Sequence, residues 1–149
     1  MTPAKEQEQL DVEAALERLQ AALRLQYRSA LGYTAAAGSV VGFSYQHLGE
    51  ALWRFAQRDL EDARRLVEKI VTYGVLPTTE VAPLRCFDEP SALIDWLIEA
   101  EEQATEALQD CIAPTGREAC SEALEHRMEH MIMRKQEQID LLRRARRGA

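Results

Sequence analysis

Asp59 and Asp62 stand one helical turn apart on a stripe whose other members, Leu52, Phe55 and Leu66, are apolar. That spacing turns both carboxylates toward a protein interior. Glu101 interrupts a second stripe between Leu97 and Ala104, and Gln26 a third between Leu23 and Ala30. Arg127 and His130 fall near Leu124 and Met131 on a fourth. A lone buried carboxylate is costly, so Asp59, Asp62 and Glu101 must be protonated, paired with a cation or bound to a metal. The sequence offers two cations. One is the Arg127 guanidinium, whose fork can serve two carboxylates; the other is a metal ion, for which His130 would supply a nitrogen. The plain alternatives are a solvated acidic turn at Asp59 and Asp62 and a surface histidine at position 130.

Four helices are needed to carry these groups. Apolar residues at spacings of three and four predict helices from about Asp11 to Ala37, His47 to Tyr73, Ser91 to Ile112 and Glu118 to Arg144. Gly74 stops the second, and Ser91 is the expected N-cap of the third. Short turns join the first to the second and the third to the fourth, so each pair is antiparallel. Residues 74–90, with three prolines and no helical period, are long enough to cross the bundle before the third helix begins. The expected fold is all-α, two antiparallel helix pairs joined by a long crossover, in a single domain over 1–149 with residues 1–9 as a tail. At about 1.5 Å of rise per residue, the polar interruptions of all four helices fall in one middle layer.

Composition narrows the function classes. With 149 residues, 25 acidic and 18 basic, the formal charge is -7, which disfavours nucleic acid held by general electrostatics. No apolar run has the length of a transmembrane span and MTPAKEQEQL lacks a secretory layout, so a cytoplasmic protein is expected. Six basic residues after position 133 fit a solvated helix end. Cys86, Cys111 and Cys120 form no C-x-x-C pair and read as free thiols, although Cys111 and Cys120 flank one turn and could meet. His126 and His130, at i and i+4, form a two-histidine face without the glutamate of an H-E-x-x-H motif. Met128, Met131 and Met133 read as packing.

The stretch Asp59 to Pro77, DLEDARRLVEKIVTYGVLP, with Tyr33 in the same register, resembles the ferritin-like superfamily and bacterioferritin most closely. The resemblance implies a ferritin-like four-helix bundle and a di-iron ferroxidase centre. Its ligands would be a Glu from helix one, Glu-x-x-His from helix two, a Glu from helix three and Glu-x-x-His from helix four. Carried over, these fall on Gln26, on Asp59 and Asp62, on Glu101 (or Glu102 if the register slips by one), and on Arg127 and His130. Only Glu101 and His130 keep their identity, which implies a degenerate centre. The haem-binding Met falls on Leu60, so no haem is expected, and a short fifth helix is not evident.

Two readings follow. In the first, the chain is a metal-binding or iron-handling protein, unlike an ordinary ferroxidase, that holds one iron, manganese or zinc ion through Asp59, Asp62, Glu101 and His130. In the second it is a non-catalytic bundle with Gln26 and Arg127 completing a salt-bridged core, acting through self-association or a protein partner. A homodimer through the faces of the first two helices is expected in either case.

Overall fold

The computed structural model describes residues 10–42 and 45–148. Helices α1 (Val12–Ser39), α2 (Leu48–Thr72), α3 (Pro90–Asp110) and α4 (Ala119–Arg147) account for most of them, and there is no strand among the described residues. The Asp11 side chain caps α1 by accepting from the Ala14 amide at 3.1 Å, and Gly74, at a φ of 76°, takes the left-handed conformation that ends α2. The third helix departs from expectation by capping two residues earlier. Its N-cap is Glu89 and Pro90 occupies the first turn, where a fixed φ and a missing N–H cost nothing. Ser91, freed from capping, places its hydroxyl 3.1 Å from that of Tyr45.

The helix pairs α1/α2 and α3/α4 are the two hairpins, and α1 packs on α3 to join them. The crossover is tied along α1. Gln20 donates to the Leu76 carbonyl and accepts from the Thr78 amide, both at 2.8 Å, and the Tyr27 hydroxyl donates to the Thr78 carbonyl at 3.0 Å. Farther along, the Ala82 amide donates to the Arg24 carbonyl at 3.2 Å. The segment thus climbs α1 from its first half upward, so α3 runs parallel to α2. No described helix is long and apolar enough to cross a membrane. The three cysteines are free; Cys111 is buried, and burial pushes its thiol up to about 12, while Cys120 is exposed.

Apolar packing is split in two. One cluster gathers Leu19, Leu23, Leu66, Ile70, Leu108 and Met128, and another gathers Tyr33, Leu52, Phe55, Ile94, Leu97 and Leu142. Tyr33 meets Phe55 edge to face with ring centroids 5.4 Å apart. Positions 26, 59, 101, 135 and 138 lie between the two clusters along their helices. They form the polar layer.

Candidate functional site, a buried carboxylate and lysine layer

Each helix contributes to this layer because its stripe carries a polar residue at mid-height. Gln26, Asp59, Glu101, Lys135 and Gln138 are all at most 1% exposed, and Asp62 is 3% exposed. The Lys135 ammonium donates to Glu101 Oε1 at 2.8 Å and to Asp59 Oδ2 at 3.2 Å. One turn on, the Gln138 amide nitrogen donates to Glu101 Oε2 at 2.8 Å and to Asp59 Oδ1 at 3.3 Å. Two residues of α4 at i and i+3 therefore span the same two carboxylates, one from α2 and one from α3. The Ser29 hydroxyl adds a third donor to Glu101 at 2.6 Å, and Gln26 donates to the Asp59 backbone carbonyl at 3.0 Å.

The two carboxylates are not equally supported. Glu101 has three donors at 2.8 Å or less, whereas Asp59 has two at 3.2 Å or more. Burial, with the charge of Glu101 added, pushes Asp59 up to about 7 against the pull of Lys135. For Lys135, burial alone would lower the pKa, but Asp59 and Glu101 together outweigh it and hold the ammonium above its ordinary range. Tyr33 lies beside the layer with its hydroxyl raised well above the usual phenol, chiefly by burial and then by the charges of Glu101 and Asp59. Hydrogen bonding to Glu101 raises it further, and the Gln138 side chain beside it pulls the other way.

Asp62 faces a second cation. Arg134 grips it in two-pronged fashion, Nη2 to Oδ1 at 2.5 Å and Nε to Oδ2 at 3.2 Å, with Arg134 25% exposed at the edge of the bundle. The α2 and α4 backbones approach closely at few points, and these long basic side chains bridge the gap between them.

Of the residues selected from the sequence, the structure brings Gln26, Asp59 and Glu101 together and sets Asp62 beside them with Arg134. It does not bring Arg127 or His130 to them. Arg127 is half-buried, and among the described residues no hydrogen bond or ion pair joins it to Asp59, Asp62 or Glu101. His130 is exposed, with Nε2 3.1 Å from Nε2 of His126. The difference is one of register. The buried series on α4 is Leu124, Met128, Met131, Lys135, Gln138 and Leu142, so position 128 rather than 127 faces inward. The residues level with Asp59 then stand eight positions later, about 12 Å along the helix. Lys135 and Gln138, the residues sequence reasoning missed, had a signal: they are the two polar members of an otherwise apolar three-four series, at the i, i+3 spacing the resemblance implies for helix four.

The known proteins similar to this chain agree with the architecture. The family model of the ferritin-like domain matches residues 16–146. No curated protein sequence matches significantly. Among solved structures, a ferritin-like, diiron-carboxylate protein from Bacillus anthracis str. Ames superposes with a TM-score of 0.83 at 22% identity, covering 90% of this chain and 96% of its own. The Rhodobacter capsulatus bacterioferritin with a metal-free dinuclear site and haem iron gives 0.76 at 16% identity, covering 91% and 84%. A dodecameric thioferritin, the bacterioferritin-related protein of Bacteroides fragilis, gives 0.82 at 16%, covering 92% and 86%. With the family model spanning residues 16–146 and the four helices arranged as two pairs around a carboxylate layer, the chain belongs to the ferritin-like family.

Proposed function

We propose that this chain is a ferritin-like bundle whose interior centre is closed by Lys135, and that it works through self-association instead of as a ferroxidase. The observation that carries this reading is the fully buried Lys135 ammonium lying between Asp59 and Glu101 at 3.2 and 2.8 Å. Family membership implies iron. A dinuclear centre needs acceptor oxygens and nitrogens converging on the ions. Here α4 supplies an ammonium and an amide nitrogen, both donors, and no imidazole reaches the layer. Among the described residues no group of three or more His, Cys, Asp or Glu could hold a metal. The residues do not fit a di-iron centre.

Self-association is supported by the outer face of α1 and α2. Leu31, Trp53 and Leu60 are 47%, 48% and 61% exposed there, beside Ala30 and Ala56. Large apolar side chains grouped on one face favour burial against another chain. The Bacteroides fragilis relative is a dodecamer, and a homodimer through this face is the smallest assembly that would cover the patch on both copies.

Loading the purified protein with iron, manganese or zinc, then measuring bound metal and mass in solution, tests both parts. The reading expects no metal lost on Asp59→Ala or Glu101→Ala, and a dimer that Trp53→Glu or Leu60→Glu converts to monomer. Stoichiometric iron that disappears in Asp59→Ala would restore the metal-binding reading. A monomeric wild type would remove the association.

A further inference from the structure

The three histidines stand outside the buried layer, and two of them are paired. His126 and His130 occupy successive turns on the exposed side of α4, with ring centroids 4.5 Å apart, ring planes at 87° and the two Nε2 atoms 3.1 Å apart. As a hydrogen bond, this contact gains little, because exposed imidazoles have water as an equal partner and two side chains must be held still to form it. As a ligand pair it has the right dimension. Zinc to imidazole bonds of about 2.0–2.1 Å place two nitrogens roughly 2.9 Å apart at a right angle and about 3.3 Å apart at the tetrahedral angle. The observed separation falls between these limits, and the helix supplies it without any loop having to close.

The surroundings suit a cation. On the same side of α4, Glu122 stands one turn before His126 and Arg134 one turn after His130. The Arg134 charge is matched by Asp62 at 2.5 Å, so it does not oppose an ion at the pair. Arg127 and Glu129, between the histidines in sequence, are opposite in sign. We propose that His126 and His130 form a surface site for a borderline divalent transition-metal ion, with zinc as the representative and water in the remaining positions. Imidazole pairs select zinc, nickel and copper over magnesium and calcium, which want oxygen ligands. The site is independent of the buried layer and uses none of its residues.

Zinc titration of the full chain, with bound metal counted after gel filtration, provides the test. One zinc per chain is expected, with both His Nε2 resonances shifting on addition while His47 stays in place. His126→Ala and His130→Ala each weaken binding by roughly 10–100-fold, at least what is lost when a ligand's outer partner is removed. Both positions are exposed, so helicity is expected to be unchanged, and His47→Ala serves as the control that leaves affinity intact. A wild type that takes up no zinc overturns the proposal. So does a His126→Ala, His130→Ala double variant that takes up as much as wild type, since the ion would then lie in the core or on the cysteines.

Discussion

The two faces of α4 carry opposite chemistry within five residues of each other. Inward, Lys135 and Gln138 offer donor hydrogens to carboxylates in a space from which water is excluded. Outward, His126 and His130 bring two ring nitrogens together in contact with solvent. The inner face carries a positive charge on the chain itself, and the outer face has the geometry to take one from solution. The capacity to hold a metal is therefore a property of the side chains presented and not of the bundle. The two faces also differ in what mutation costs, because charge removed from a dry layer is missed far more than charge removed at the surface.

Lys135→Met should therefore have the largest effect. It strands Asp59 and Glu101 together, and removing one partner of a buried ionic group costs about 3–5 kcal/mol. Urea denaturation at neutral pH measures this directly. Adding Asp59→Asn and Glu101→Gln to the same variant should recover most of the loss, since the charges that needed the lysine are gone. A Lys135→Met protein as stable as wild type would mean that the ammonium does not neutralise the layer.

The next effect is a pH dependence with an unusual sign. Because Asp59 is raised from 3.8 to about 7 in the folded protein, the folded chain keeps a proton that the unfolded chain releases once pH exceeds about 4. Its contribution is complete below pH 3.8 and is lost as pH rises through 7, the reverse of a carboxylate whose pKa is depressed by a salt bridge. Lys135, raised above 10.5, keeps its contribution throughout this interval. Comparing wild type with Asp59→Asn by denaturation at pH 5 and pH 8 isolates the group. The variant should lose less stability over that rise than wild type; an equal loss in both would show that Asp59 is ionised throughout.

Arg134→Gln probes the boundary between the faces. Its side chain is a quarter exposed while that of Asp62 is buried, so the carboxylate left behind is shielded but has water within reach of its edge. A loss of about 1–3 kcal/mol is expected, below that of Lys135→Met, with the same denaturation assay as the check. A loss as large as that of Lys135→Met would place Asp62 in the same dry layer as Asp59.

How much of this was legible in the sequence depended on what limited each reading. The helices are readable because twenty or more residues of three-four periodicity outvote a local error; their ends move by up to three residues, and the Ser91 cap is displaced by Pro90. Gln26, Asp59, Asp62 and Glu101 were readable because each interrupts a stripe flanked closely by large apolar residues. The register of α4 was harder. Its mean hydropathy is low, and Leu124, Met128, Met131 and Met133 allow more than one line to be drawn through the apolar positions. A lysine is more often solvated than buried, so residue type alone does not point Lys135 inward, although burial with two carboxylates satisfies the same physics.

Arg127→Ala is the smallest expected effect and separates those two registers. If Arg127 neutralised Asp59 or Glu101, its removal would cost as much as Lys135→Met. In the observed register it lies about two turns from that level, half-buried, and the carboxylates already have Lys135 and Gln138. Its loss should fall within about 0.5 kcal/mol of wild type, as for substitutions away from any buried charge. The same denaturation series reads both variants side by side. A large loss in Arg127→Ala with a small one in Lys135→Met would shift α4 by two turns and bring His130 level with the carboxylates.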